Sequence, residues 1–300
     1  MSRVFLKSNH SIKSISRYVI LSLILLVLSG FYKNGVKLYM NGLTNIYGLF
    51  KPLIITLLGF FIGVIVNLIY ETFFTKNRNN IGDKVFGSFH PVYGILVASI
   101  ISINTSIWIF CGVTLLVFIL SKFIKTTKIN VVSLVALIII LIINLNGEFS
   151  FLNQYEATRT LDLTGLNYLV GMGSGGINTS FVLLLMVSFL LLAKEDFYKK
   201  AIPLYSSITF FIIMVAYVIV TNQVEILFDN IFGNGILFSF VYLATDPLSS
   251  AYTKKGQIVY GIILGMITFG LYLIEPTLAV LGAILIVSML HSVIDKICLK

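Results

Sequence analysis

Two stretches of this 300-residue chain carry side chains that could do chemistry. The first is Thr245-Asp246-Pro247-Leu248-Ser249-Ser250, set inside the longer run from Gly235 to Gly265. An acid and two hydroxyls this close together suit an ion or a phosphate. Pro247 has no N–H and pushes Asp246 away from helical geometry, so a helix ends here with its last carbonyls open. In an apolar chain such a break survives only where protein or a water-filled cavity satisfies it. Two readings are open for Asp246. It shapes a cofactor or ion site, or it ends a helix and bonds local backbone. Ser249 and Ser250 either hold a phosphate or serve as turn residues. Tyr242 and Tyr260 flank the break.

The second stretch begins at Thr164, Gly165 and Asn167 and continues through Gly171, Gly173, Gly175 and Gly176 to Asn178-Thr179-Ser180. Glycines let backbone approach a ligand closely, and Asn, Thr or Ser is a suitable N-cap, so a helix is expected to start near 178–180. A helix N-terminus behind a glycine loop binds anions, phosphate among them. The alternative is a plain flexible loop with a capped helix after it. Other chemistries find no support. His10, His90 and His291 are scattered, and Cys111 and Cys298 can hold neither an iron–sulfur cluster nor an expected disulfide. No phosphate-binding loop, serine-hydrolase elbow or zinc-protease motif is present.

The elements that must position these stretches are membrane helices. The chain is 58% hydrophobic and 11% charged, whereas soluble domains have about 25% charged residues. Ten apolar blocks follow one another, at 16–32, 52–74, 91–103, 107–121, 129–145, 178–193, 201–221, 235–245, 257–274 and 276–293. Most match the length of a helix spanning roughly 30 Å of hydrocarbon, and the third and eighth are short. The first block, near Tyr18 to Phe31, is followed by no signal-peptidase site. With the N-terminus inside, the inner segments hold all of the 21 Lys and Arg residues except Lys33, Lys37, Lys51 and Arg159. That bias fits the positive-inside rule and puts both termini in the cytoplasm. It also accounts for the net charge of +9 without nucleic acid.

Ten spans divide into two halves of five, 1–145 and 178–300, joined by an outer loop, 146–177. An odd number per half inverts the second half. The two short blocks echo each other. Each opens on Gly-Ile-Leu, at Gly94 and Gly235, and each ends on a polar break, at Asn104-Thr105-Ser106 and at Thr245-Asp246-Pro247.

These segments resemble one family, the RnfD/NqrB membrane subunits of ion-pumping NADH or ferredoxin oxidoreductase complexes. Thr245-Asp246-Pro247 through Ser250, then Gly256, Tyr260-Gly261 and Gly265, looks like the family's TDP segment. Ala283-Ile284-Leu285 through Ile294-Asp295 looks like the apolar motif that follows it. Thr164-Gly165, the glycine run and Thr179-Ser180 resemble the family's SGAT…GG…GETS. The resemblance implies a fold similar to that of urea transporters. It further implies FMN esterified to the Thr of SGAT, and electron transfer coupled to Na⁺ or H⁺ movement. This chain departs from the pattern where it matters most. Asn167 stands in place of the flavin-bearing Thr and has no hydroxyl to esterify, and Thr164 takes the motif's Ser position. Ser288, Ser292, Ala251 and Asn178 replace a family Asn, Pro, Pro and Glu.

The expectation is therefore an all-α polytopic protein of the cell membrane, a subunit of an Rnf/Nqr-like complex. Its partners are the lipid bilayer and other membrane and extracytoplasmic subunits. FMN or riboflavin is expected to bind non-covalently, in a pocket of Thr164, Gly165, Asn167, Gly175, Gly176 and Thr179, with Thr245, Asp246, Ser249 and Ser250 as a second candidate group. The alternatives are a small-solute transporter of the same fold without cofactor, and a membrane anchor for an extracytoplasmic flavoprotein.

Overall fold

The computed structural model describes residues 11–74, 81–124, 128–147, 149–153, 165–223 and 227–299, all helix, turn or irregular segment. Among the described residues, six helices are long and apolar enough to cross a membrane: α1 (Ile12–Met40), α2 (Ile46–Phe73), α4 (Ile107–Ile124), α7 (Ala201–Thr221), α9 (Lys254–Tyr272) and α10 (Ala279–Cys298). Four shorter apolar helices complete the bundle: α3 (His90–Ile100), α5 (Val131–Asn146), α6 (Val182–Ala193) and α8 (Leu227–Leu243). Each of these helices overlaps one of the apolar blocks, and two further short helices, Ile81–Phe86 and Gly165–Leu169, lie outside them. This is a polytopic membrane protein of helices alone among the described residues.

Shortness is commoner than the sequence suggests. Besides the third and eighth helices, the sixth has only 12 residues. Its expected start at 178–180 is not met. Phe181 takes the N-cap position and makes no side-chain cap bond. The reason lies in the preceding residues. The N–H groups of Ile177 and Asn178 bond Ile101 O and Ser99 O, at 2.9 and 3.1 Å. Backbone spent on the end of another helix cannot also wind one of its own.

Small residues set the helix crossings. α2 carries Gly59 and Gly63 four residues apart, and they pack on Gly94, His90 and Pro91 of α3. α9 carries Gly261 and Gly265 at the same spacing, packed on Ile202 and Ser206 of α7. Lipid gives helices no hydrophobic reason to associate, so close backbone approach and its dispersion energy hold these pairs together.

Two helices are interrupted. α3 stops at Ile100, inside the bundle, with Val92 to Ile101 all buried. α8 is broken at Gly233 to Gly235, where Gly235 has φ +67°, and ends in a π turn over Ser239–Leu243. The start of α3 touches the end of α8, because the Tyr93 hydroxyl donates to Asp246 at 2.6 Å. The two broken helices therefore run antiparallel, and their polar breaks lie at opposite ends of the bundle.

Candidate functional site

The structure gathers polar side chains at both ends. At the first end, Asp246 is 7% exposed. Its Oδ1 accepts from the Tyr93 hydroxyl, and its Oδ2 accepts from the Ser249 N–H at 3.0 Å and the Ser249 hydroxyl at 2.5 Å. The second bond type, side chain to the N–H three residues on, is the turn that Pro247 and the two serines favour. Side chains answer open carbonyls of α8. Leu243 O accepts from Asn130 Nδ2 at 2.8 Å, and Val241 O from the Tyr198 hydroxyl at 2.8 Å and from Thr245 Oγ1 at 2.7 Å. Ser250 Oγ donates to Asp246 O at 2.6 Å. Asn130 also caps α5, its Oδ1 accepting from Ser133 N–H.

Lys199 completes this end. Its ammonium donates to Ser250 Oγ at 2.7 Å, Ser250 O at 3.1 Å and Pro247 O at 3.4 Å, and it lies 4.2 Å from the centre of the Tyr252 ring. A second carboxylate, Asp295 of α10, accepts from the N–H groups of Tyr252 and Thr253 and from the Thr253 hydroxyl. Burial pulls the Lys199 ammonium down to about 8, against the opposing pull of Asp246 and Asp295. Burial also pushes the Tyr252 phenol up, with Asp246 and Asp295 adding to it.

The Lys199 shift has a measurable sign. Its folded value lies below its unfolded one, so under about pH 8 the lysine is charged in both states and the fold bears the whole cost of burying it. Between there and the unfolded value, only the unfolded chain holds the proton, and stability rises with pH. Thermal unfolding across pH 7.5 to 10 should show the wild type gaining on Lys199→Met. Parallel curves would show that Lys199 does not titrate in this window.

The other end holds the glycine loop. Gly175, Gly176 and Thr179 are buried. Gly176 lies so close to α3 that a Cβ there would stand 2.5 Å from Ile100 O. Asn178 Nδ2 reaches Ser99 Oγ at 3.0 Å and Thr56 Oγ1 at 3.4 Å. The loop thus closes the end of α3, much as Asn130 and Tyr198 close α8. A π turn in α1, Tyr32–Val36, faces Lys33 and Asn34 onto this loop. Lys33 is 4% exposed, and its ammonium donates to Gly173 O at 2.6 Å and Ser180 Oγ at 2.8 Å. Asn34 Nδ2 donates to Ile177 O at 2.9 Å. Such π turns are frequent at functional sites, because the extra residue re-aims side chains.

The sequence-derived candidates accordingly form two groups and not one pocket. Thr245, Asp246, Ser249 and Ser250 stand at one end of α3. Gly175, Gly176 and Thr179 stand at the other, 11 residues away, or about 16 Å at the helical rise. Gly165 opens a short helix, Gly165–Leu169, on which Asn167 is half-buried with its carbonyl accepting from Met172 N–H at 2.9 Å. Thr164 lies outside the described residues. Tyr242 is buried with its hydroxyl on Ser22 Oγ, and Tyr260 is buried entirely.

Sequence reasoning did not single out Tyr93, Asn130, Lys199, Asp295 or Lys33 as site residues. Asn130 carried a weak signal, an Asn before an apolar block with Ser133 three residues on. Tyr93, one residue before the Gly-Ile-Leu echo, gave none.

These residues also decide what flavin could fit. Ester attachment at 167 does not, for want of a hydroxyl. A phosphate cradle on Ile177, Asn178 and Thr179 does not either, because their N–H groups are spent on Ile101, Ser99 and Gly176 carbonyls. What remains at this end is an aromatic shelf. Tyr168, Phe228 and Phe232 lie with ring centres 6.1–6.5 Å apart, and Phe228 is exposed. Its near-parallel rings suit a planar heterocycle.

The fold and the site define a class: a polytopic helical membrane protein with two broken, antiparallel helices that each end in a closed polar joint. The family follows from comparison with known proteins: the model of the NQR2, RnfD, RnfE family matches residues 1–300, and the chain belongs to that family. A stretch of 75 residues is 33% identical to a subunit of the Na(+)-translocating NADH-quinone reductase of Chlamydia pneumoniae. That stretch is 24% of this chain and 15% of the relative, so the chain matches only a small part of the relative's length.

Proposed function

We propose that the chain is the membrane subunit of an Rnf/Nqr-type electron-transport complex. It carries electrons on a non-covalently bound flavin, FMN or riboflavin, and couples their passage to Na⁺ or H⁺ movement. The observation that carries the reading is the family match over the whole chain. The retained joint at Asp246, with Tyr93 and Asn130 wired into it, supports it. The distribution of Lys and Arg argues for cytoplasmic termini in a cell membrane, with the glycine loop outside. On that orientation the halves 1–145 and 178–300 are inverted repeats around the loop 146–177. Electrons then arrive from an extracytoplasmic flavoprotein subunit, and the flavin supplies the redox chemistry while the chain supplies position. Within this reading, the Tyr168, Phe228 and Phe232 shelf stacks the ring, and Asp229 and Ser174 beside it offer polar contacts.

A second reading is favoured by the closed glycine loop and by Asn167. In it, the chain anchors an extracytoplasmic flavoprotein and holds no flavin of its own.

The test is the full chain purified from cells that contain a flavin transferase. The carrier reading expects flavin absorbance in the native sample that leaves on denaturation. It also expects an intact mass without added FMN. A fluorescent band on a denaturing gel would instead put a covalent flavin back in the chain, at a residue other than Asn167. No flavin in either state overturns the carrier reading, and co-purification of a flavoprotein would then establish the anchor.

A further inference from the structure

α6 and α7 leave between them a crevice that opens sideways into the bilayer. Each helix is held by a different neighbour. α6 grips α1, where Ser188 Oγ donates to Ser22 O at 2.9 Å. α7 grips α9, whose Gly261 and Gly265 pack on Ile202 and Ser206. Drawn to opposite sides, the two helices part. Leu237 and Val241 of α8 form the floor of the gap, Met186 and Leu190 of α6 one wall, and Leu204 and Ile208 of α7 the other. These four wall residues are exposed, so the opening faces lipid. Ser207 is the one polar residue of the lining.

Two observations say what fills it. The first is size. The crevice has a volume of about 380 Å³, less than the roughly 500 Å³ that one helical turn fills with its side chains. An acyl chain fits such a slot and a partner's helix does not. The second is charge. Residues four apart lie on one face of a helix. Lys194 follows Leu190 by four residues and Lys200 precedes Leu204 by four. Both lysines have helical backbone angles and both are exposed. The two apolar walls therefore end on ammonium groups, and both do so at the same end of the crevice.

The connection that carries these lysines is fixed over that end. The Tyr198 hydroxyl donates to Val241 O in the floor at 2.8 Å, and the Tyr198 ring lies 6.1 Å from that of Phe189. Lys199 turns inward onto Ser250 at 2.7 Å, which leaves Lys194 and Lys200 as the outward cations of the connection. Glu195 and Asp196 lie on it too, and Asp196 is exposed. The two acids offset the two lysines, so the mouth presents both signs of charge at once.

We infer that this crevice holds an acyl chain of phosphatidylethanolamine. The lipid phosphate lies between Lys194 and Lys200, and its primary ammonium faces Asp196. An anionic headgroup without an amine would meet the lysines but offer nothing to the acid. Lipid tails are as apolar as leucine, so filling the crevice discriminates little between lipids; the headgroup bonds supply the preference. The site shares no residue with the aromatic shelf or the glycine loop, and its test is independent of whether the chain binds flavin.

The full chain is purified in mild detergent from membranes that hold both phosphatidylethanolamine and phosphatidylglycerol. Native mass spectrometry counts the lipids retained per chain, and mass spectrometry of extracted lipid identifies them. The expected result is a single phosphatidylethanolamine, enriched over its share of the membrane. Lys194→Met and Lys200→Met should each lower the retained lipid about fivefold, the loss of one charged hydrogen bond. Ser207→Phe, which fills the crevice from its wall, should lower it as far or further. Lys254→Met, an exposed lysine elsewhere at this end, should change nothing. The lysine variants remove no buried group, so they keep the test decisive if Ser207→Phe fails to fold. Retention of phosphatidylglycerol in place of phosphatidylethanolamine overturns the inference. So does the absence of retained lipid, or equal retention by the wild type and both lysine variants.

Discussion

Asp246→Ala is expected to destabilise the protein by about 3 kcal/mol or more, or to abolish the folded form in detergent. The cost has a definite origin. The Tyr93 hydroxyl and the Ser249 N–H both lose their acceptor, and both are buried. Each stranded donor is buried and bears its own desolvation cost. The break at Pro247 aggravates the loss. Ser249 and Ser250 are held in their turn by the Asp246 side chain and carbonyl, and that turn positions the carbonyls that receive Lys199. Tyr93→Phe is the informative companion. It removes one donor and leaves Asp246 with the two bonds from Ser249, so it should cost only about 1 kcal/mol. The double variant Tyr93→Phe/Asp246→Ala should cost clearly less than the two single losses added, because without the tyrosine no hydroxyl is left stranded opposite the missing carboxylate. Denaturant unfolding of the four proteins, followed by circular dichroism, reads the cycle. Additive losses would mean that the Tyr93 bond is incidental and that Asp246 acts on its own turn alone.

The cycle also bears on function. Tyr93 belongs to the first five helices and Asp246 to the second five, as do Asn130 and Leu243. The joint is where the two sets of helices hold each other at this end. A subunit that couples electron flow to ion movement by relative motion of its halves would have to strain this joint. Asp246→Asn, which keeps one acceptor oxygen, is the variant with which to test coupling in an assembled complex without losing the fold.

Much of this was legible in the chain, and the illegible part has a common cause. Hydropathy shows the apolar helices because burial in lipid acts on every residue of a span. Pro247 shows the break after α8 because it acts locally, on its own backbone; Gly235 read only as the start of a block, and the break inside α8 at Gly233 to Gly235 did not show. Partners across the bundle leave no such trace. Tyr93 lies 153 residues from Asp246, and Lys33 lies 147 from Ser180; neither pairing alters the local pattern. Lys33 and Lys199 read as loop charges that set topology. The structure instead puts the Lys33 ammonium among buried carbonyls and hydroxyls and half-buries that of Lys199. The expected start of α6 failed for the same reason. Asn178 and Ser180 are good caps by type, but a distant helix end claims the backbone first.

Gly94→Ala should be the most damaging single methyl in the chain. A Cβ on Gly94 would stand 1.8 Å from Gly59 O and 2.4 Å from Gly59 C, and one on Gly59 would stand 2.3 Å from Gly94 O. The obstacle on each side is backbone, which no rotamer change can move. Relief requires α2 and α3 to separate by an ångström or more along a contact that also includes Gly63 against His90 and Pro91. Parting them would pull α3 from its place between the two joints, since its start holds Asp246 and its end receives Ile177 and Asn178. Overpacking that side chains can absorb costs about 1–3 kcal/mol; here the load falls on two helices at once, and the expected result is no monodisperse folded protein. Gly112→Ala and Gly270→Ala are the controls. Both lie inside helices and a Cβ at either meets nothing within 4 Å. Exchanging glycine for alanine in an open helical position gains about 0.5–1 kcal/mol, so these variants should melt at or above the wild-type temperature. Size-exclusion profiles and melting curves of the three variants decide the matter. If Gly94→Ala elutes and melts as the wild type does, α2 and α3 do not make the backbone contact on which the placing of both joints depends.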